Sequence, residues 1–466
     1  MKKVVIQKGV LSDLKAFTDE HNKIQRPKLK VDVAVFFIGL INELSSHYRD
    51  DKENDNYTPV DSQILKQYHS NYNNYFEFFT DFGILLKSNY GADIGKSNSY
   101  KIAENYNNDE LITFEIKDKR LNKKFNEKGL DKYQQEKLAF SINKRPHLMK
   151  FFNDNLTIDY ISAEKQIAPL KNTEPKSYKN SEVLINEFKN KSWKASFKPY
   201  NSDYRLHTNL TRSPKVLRKH ILINNENIIG YDVKTSQPYF FCVVLKAILE
   251  KNKILLEKIG ATKILNGNTI EQLFDLEVNN EEIKDFILSV TDDKIDFYNY
   301  FASNLDIKID ENGKPYRKVS NFKTRNKGKS RSKRNNNSEE QKIKVFETKR
   351  DLAKEIVMEV FYSSPNSKIS EAVMFRKAYP NIHKIIKCLY SNGVKFCQLL
   401  TTIEAYILLD IVAIKISDKH PNMPLSSIHD CLVSTTKHKK VLEEEMLKHI
   451  KDATTLKINL ELEEWK

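Results

Sequence analysis

Cysteine is scarce and unpatterned: Cys242, Cys388, Cys397 and Cys431 are scattered through 466 residues with no CxxC spacing. Neither a disulfide framework nor a zinc site is indicated, and a reducing cytoplasm fits. No apolar run approaches the roughly 20 residues of a membrane span. The best is the short VDVAVFFIGLI from Val31, and the start, MKKVVIQKGVLSDLK, lacks a signal-peptide apolar region. A soluble, cytoplasmic protein with no membrane partner is expected. Internal repeats are absent. Acidic charge is in deficit, with 62 Asp and Glu against 77 Lys and Arg, for a net charge of +15. With 11% aromatics, that balance favours a polyanion partner, nucleic acid first.

The length suits two to four domains or subdomains. An apolar helix is expected from about Lys30 to Tyr48, followed by the polar break RDDKENDNYTP. Then come two helical patterns, PVDSQILKQYHS and NYNNYFEFFTDFGILL, and two extended runs around a Gly-containing turn in LKSNYGADIGKSNSYKIA. Helix, turn, helix and hairpin resemble a winged-helix domain over 1–118. As a duplex binder, its wing would touch phosphate through Lys87 and Lys96. Glu77 and Asp81 make the second helix acidic for that task, so a packing or protein-contact role stands beside it. Residues 119–199, rich in Lys, Asn and Glu, read as exposed helices and a connector without a motif.

A basic segment follows, with Arg205, Arg212, Lys215, Arg218 and Lys219 interleaved with Tyr200, Tyr204 and His207. It is suited to tracking a phosphate backbone or to forming a solvated basic face. NIIGYDVKTSQPYFF reads as a strand ending near Asp232 that turns into a helix after Pro238. From Arg317 to Asn337 the chain has no acidic residue, and it is expected to be a mobile loop that contacts nucleic acid or is merely disordered.

KRDLAKEIVMEVFYS, Lys349 to Ser363, follows that run. As a helix it places Arg350, Lys354, Met358 and Tyr362 four residues apart, each displaced by roughly 40° from the last. The two cations suit a polyphosphate, and the thioether and ring offer a floor to a base. An amphipathic helix with an ordinary charged face is the plainer reading. A long buried helix with Gln398 and Glu404 comes next, then two short extended runs with His429 and Asp430 between them.

Nucleotidyl transfer needs two carboxylates close together, holding two Mg²⁺ roughly 3.5 to 4 Å apart. Asp232 and Asp430 are the candidate pair, with Mn²⁺ a possible substitute. The set resembles the family A nucleic-acid polymerases, including the phage-type single-subunit RNA polymerases, from about residue 200 to the end. Asp232 with Ser236 and Gln237 is similar to motif A, the Arg350, Lys354, Met358, Tyr362 series to motif B, and His429-Asp430 to motif C. Arg205 with His207 and Asn209 resembles the family's Arg segment, Gln398 and Glu404 its polar helix beneath the template, and Trp465 its C-terminal Trp.

The resemblance implies an α+β right-hand polymerase: palm at 200–250 and 395–466, fingers at 251–394, and a helical thumb or connector at 119–199. It implies Asp232 and Asp430 as metal ligands, with Lys354 joining them in catalysis. Arg350, Lys354, Met358, Tyr362, Ser236, Gln237 and Tyr239 would face the nucleoside triphosphate. Arg205, His207, Asn209, Arg212, Arg218, Gln398 and His429 would face primer and template or promoter or origin DNA. Motif A has two extra residues, Tyr239 falls where DNA polymerases carry a sugar-excluding Glu, and Ser363 stands in place of Gly. Met358 is the type found in RNA-making members, so sugar choice stays open. No proofreading pattern precedes residue 200. A mobile-element, phage or defence enzyme acting in replication or transcription would fit. The alternatives are a catalytically inactive polymerase-like binding protein, or a metal-dependent phosphohydrolase using His429-Asp430 with further His and Asp ligands.

Overall fold

The computed structural model describes residues 3–45, 57–88, 98–107, 109–128, 130–197, 204–319, 342–367 and 369–465. Lys96, Tyr200 and residues 320–337 of the basic run lie outside them. The fold mixes helices with antiparallel strands. Among the described residues no helix is long and apolar enough to cross a membrane.

The N-terminal part is built around one helix that is apolar on every side. Strand β1 (Lys3–Gln7) and helix α1 (Lys8–Ile24) lead to α2 (Val31–Ser45), in which every residue from Val33 to Asn42 is buried. Such a helix has no solvated face and must be wrapped. The wrapping comes from β2 (Thr58–Pro59), α3 (Ser62–Tyr68), α4 (Tyr72–Asp81), β3 (Leu85–Lys87) and β4 (Ser99–Ile102). Phe37 of α2 meets Tyr75 and Phe76 of α4 at centroid distances of 5.7 and 5.5 Å. Strands β2, β4 and β3 form a sheet in that order, and β1 pairs with β5 (Leu111–Glu115). Residues from Val4 to Leu121 thus close a core of their own.

Next come α5 (Lys119–Lys128), α6 (Leu130–Lys144), α7 (Pro146–Met149), β6 (Leu156–Ile158), α8 (Tyr160–Ile167), α9 (Leu170–Thr173) and α10 (Pro175–Lys189). These are not merely exposed helices. Arg145 is 1% exposed, donates to Asp410 Oδ1 at 2.9 Å and to the Tyr204 carbonyl at 3.2 Å, and lies 3.8 Å from the Phe197 ring centroid. A buried guanidinium persists only with partners of this kind.

β7 (Ala195–Phe197) pairs with β8 (Leu206–Thr208), and α11 (Lys215–Arg218) precedes the hairpin β9 (Ile221–Ile223) and β10 (Glu226–Val233). Asn224 and Asn225 take φ of 54° and 62° in its two-residue turn, as such turns require. Helix α12 (Ser236–Leu249) begins before Pro238, not after it, because proline is tolerated in a first helical turn. Helices α13 (Lys253–Lys258), α14 (Gly267–Phe274), α15 (Asn280–Thr291) and α16 (Phe297–Ser303) pack around it. A ribbon of β11 (Tyr316–Val319) and β12 (Lys342–Val345) then leads to α17 (Lys349–Tyr362), α18 (Ser370–Ala378) and α19 (Pro380–Ser391). Arg317 belongs to this ribbon and not to a mobile loop: it pairs with Glu355 and with Glu371, the latter at 2.9 Å.

The expected long buried helix runs as α20 (Phe396–Ala405), a π turn (Tyr406–Val412) and α21 (Ala413–Lys419). The Leu409 carbonyl accepts from His147 Nε2 at 2.7 Å, while Asp410 is held by Arg145. Gly260, at φ +74°, lies so close that an added Cβ would fall 2.4 Å from Tyr406 Cδ1. The chain ends with β13 (Ser426–Ile428), β14 (Cys431–Thr435), α22 (Lys439–Thr454) and β15 (Leu460–Glu464). Sheet order is β13-β14-β10-β9-β6, with β15 also on β10.

Candidate functional site

The central strand β10 carries Asp232. In register, Asp232 faces Cys431 of β14 and Glu461 of β15, and Cys431 is preceded by Asp430 in the two-residue turn that joins β13 to β14. Pairing therefore sets the two aspartates side by side at one end of the sheet. Close approach of β10 and β14 depends on Gly230, where a Cβ would stand 2.4 Å from Cys431 Sγ.

Asp232 Oδ1 is buried without a hydrogen-bond partner. Burial first, then the charges of Asp430, Glu463, Glu404 and Glu461, push its carboxyl up to about 7. The centre is thus rich in carboxylate and short of positive charge. Mg²⁺ characteristically binds one or two carboxylates plus substrate phosphates, and an unpartnered buried carboxylate oxygen beside a second carboxylate fits that preference. Among the described residues no group of three or more His, Cys, Asp and Glu side chains is placed to hold a metal.

Behind the pair, Glu404 of α20 is fully buried and saturated. Arg205 donates to its Oε1 through Nε at 2.9 Å and also through Nη2. Ser236 Oγ and Gln237 Nε2 donate to its Oε2 at 2.6 and 2.7 Å. Burial still raises the Glu404 carboxyl, and Asp430 raises it further, against the pull of Arg205. Glu404 is an internal brace rather than a surface beneath a template, and it engages the side chains of Ser236 and Gln237. Tyr204, Thr235 and His429, which immediately precede Arg205, Ser236 and Asp430, take φ of 58°, 53° and 55°. Left-handed non-glycine residues of this sort gather where surrounding structure imposes a geometry.

Helix α17 lies near the pair, its Tyr362 within the field of Asp430 and Glu404. Thr348 caps it by accepting the Asp351 N–H at 3.1 Å, and Leu352, Ala353, Ile356, Val357, Val360 and Phe361 bury the opposite face. Lys354 is exposed, Met358 is 38% and Tyr362 51% exposed. Burial raises the Tyr362 hydroxyl, and Arg205, Glu404 and Asp430 are among the charges that act on it. Arg350 Nε donates to Asp296 Oδ2 at 2.9 Å, with the guanidinium 5.3 Å from the Tyr298 centroid. Burial pushes Tyr298 up to about 12, with Asp430 among its neighbouring charges. Asp296 and Tyr298 were not singled out in the sequence; an Asp ahead of the aromatic run FYNYF reads only as a helix cap, which it also is.

Several expected contacts face elsewhere. Tyr239 is inside the core, its hydroxyl on Thr454 Oγ1 at 2.7 Å. It follows the first turn of α12 on the inward side, so it is not a nucleotide contact. Asn209 is also fully buried, donating to Glu187 at 2.8 Å and accepting the Lys194 N–H at 2.7 Å. It is a structural residue, not a template contact. Arg212 is tied to the same Glu187, a hub with no motif to announce it. Arg218 is drawn to Glu463 at 2.6 Å and to the Trp465 ring. His207 lies on β8 and Gln398 on α20, both partly exposed.

No family model matches the chain, and no curated protein does. Among solved structures it is similar to the POL domain of Pol1 from M. smegmatis in complex with DNA primer-template and dNTP. The TM-score is 0.34 at 11% identity, over 65% of this chain and 56% of that one. The chain thus spans little more than half the length of that neighbour, and a likeness so slight carries no conclusion about this protein.

Proposed function

We propose that the protein is a template-directed nucleotidyltransferase of the family A polymerase type. The observation that carries the reading is the pair Asp232 and Asp430, joined by strand register, with one buried carboxylate oxygen unpartnered and a cationic, apolar helix face beside it. Asp232 and Asp430 would hold Mg²⁺, which when bound lowers the pKa of an attacking hydroxyl and neutralises phosphate charge.

The chain's own residues supply the rest. Lys354 has no acceptor in reach among the described residues and is available to a triphosphate. Asp296 takes only the Nε of Arg350, which leaves the guanidinium's two terminal nitrogens for a bidentate grip on phosphate oxygens. Met358 and Tyr362 offer the apolar floor to a base. Glu404 holds Arg205, Ser236 and Gln237 behind the pair, and His429 flanks the primer side. On this reading 200–250 and 395–466 form the palm, 251–394 the fingers and 119–199 the thumb or connector. The N-terminal unit, with its three-stranded sheet beside α3 and α4, acts as a winged helix.

The test is Mg²⁺-dependent extension of a labelled primer on DNA and RNA templates, with dNTPs and rNTPs supplied separately and Asp430→Ala alongside. Extension that disappears in the variant establishes the polymerase, and the preferred pool decides DNA against RNA synthesis. Absence of extension under every pairing, with nucleic-acid binding intact, removes the catalytic reading.

A further inference from the structure

Away from the carboxylates, β1, α2 and β5 of the N-terminal unit face α10 and the loop after it across a cleft of about 890 Å³. That volume lies within the range of small-molecule sites, roughly 300 to 1,000 Å³. Lys3, Lys179, Lys191 and Lys194 line it; Lys3 is exposed at the edge, Lys191 is tied to Asp154, and Lys179 and Lys194 are in different states. Lys194 is neutralised by Glu43 at 3.1 Å and Glu187 at 2.9 Å. Burial opposes its charge, yet the two carboxylates raise its pKa.

Lys179 instead donates to the neutral amide oxygen of Asn42. Among the described residues no carboxylate lies within ion-pair distance of it. Burial lowers its ammonium to about 8, with only Glu182 acting the other way, so it is still charged at neutral pH. A cation withdrawn from water toward an amide, in an open cleft, lacks an anion. The wall adds the amides of Asn186 and Asn190 and the ring of Trp193, which Phe188 and Phe152 hold edge-on at 5.3 and 6.0 Å.

We propose that this cleft binds a phosphate-bearing ligand of mononucleotide size, with the phosphate on Lys179 and the amides and Trp193 around its body. A lysine meets phosphate as a point charge, amides satisfy sugar and base edges, and an indole offers a stacking partner. The phosphate has two possible sources, a free nucleotide or the 5′ end of a nucleic-acid strand. The inference does not depend on the polymerase reading.

Trp193 is one of two tryptophans, and the other, Trp465, is buried in the sheet region, so ligand in the cleft is read by indole fluorescence. The full chain is titrated in EDTA with AMP, adenosine, inorganic phosphate and a dinucleotide with or without a 5′-phosphate. AMP or the phosphorylated dinucleotide is expected to give a saturable change, and whichever binds tighter names the source. Lys179→Met, checked for folding by circular dichroism, is expected to weaken that binding about tenfold or more, the worth of a charge-assisted hydrogen bond. Lys179→Arg restores it. Asn190→Asp, on the exposed wall, weakens it by repulsion even if Lys179→Met does not fold. Lys354→Ala leaves it unchanged, which separates the cleft from the α17 stripe. Adenosine binding as well as AMP, an unaltered affinity in Lys179→Met or Asn190→Asp, loss of binding in Lys354→Ala, or no response to any probe overturns the proposal.

Discussion

Arg205 reaches Glu404 through Nε at 2.9 Å, and the carboxylate's other oxygen holds Ser236 and Gln237. One buried acid therefore ties the segment before the sheet to the first turn of α12. Removing one member of a buried pair leaves the other unpaired, at about 3 to 5 kcal/mol. Glu404→Ala is expected to lose stability on that scale in urea denaturation, whereas Ser236→Ala, which deletes one of several donors, loses about 1 kcal/mol. Equal losses in the two variants would mean that the network does not rest on the charge.

Gly230→Ala tests how closely β10 must approach β14. The new methyl would press on Cys431 Sγ and Val433, and such overpacking typically costs about 1 to 3 kcal/mol. A lower thermal midpoint accompanied by loss of primer extension is expected, because the turn bearing Asp430 shifts with its strand. The double variant Gly230→Ala with Cys431→Ala, which vacates the space, should recover most of the stability.

Asp232→Asn is expected to go the other way in stability. The carboxylate is buried among Asp430, Glu463, Glu404 and Glu461, so a neutral isostere relieves repulsion and desolvation together. A rise in thermal midpoint in EDTA, with extension abolished, is the expected pair of results; active sites commonly trade stability for function in this way.

Lys354→Ala removes the exposed cation of the α17 stripe. Nucleotide KM is expected to rise or kcat to fall by about tenfold, the scale of a lost charge-assisted contact, with the melting temperature unchanged because the side chain is solvated. Unchanged kinetics would remove the stripe from the nucleotide site.

Stability should also depend on pH through Lys179. Its folded pKa is about 8 against an ordinary 10.5. Between those values the unfolded chain holds a proton that the folded protein has released, so stability rises with pH from 8 to 10.5, and the cost of the buried charge is felt in full below 8. The span is on the order of 3 kcal/mol. Denaturation across that window should show the slope in the wild type and a flatter one in Lys179→Met.

What the sequence discloses is local. The strand leading into Asp232, the helix from Lys349 to Tyr362 and the hairpin around His429-Asp430 each carry their own periodicity or turn chemistry, and each forms as expected. What it conceals is set by distant partners. β1 is five residues whose pairing with β5 spans much of the N-terminal unit. Arg145 and Glu187 are single charges in a stretch full of charges, and distant partners such as Asp410, Asn209 and Arg212 reveal their roles. Tyr239 and Asn209 look polar and available until the packing around α12 and α10 encloses them. The π turn likewise is met by distant residues, Gly260 against Tyr406, His147 on the Leu409 carbonyl and Arg145 on Asp410.

The position of β10 in its sheet bears on how the protein is made. About 200 residues separate Asp232 from its partner Cys431, and β15 comes later still. Beyond its short hairpin with β9, the rest of β10 must therefore wait, its hydrogen-bonding edges unmet, while all the helices from α12 to α21 emerge and pack. The N-terminal unit, with its separate core, has no such wait. A nascent chain that stalls before β14 would thus present a finished front domain and an open β edge, a species for chaperones to guard. The carboxylate pair comes into being only after about 200 further residues have emerged behind Asp232.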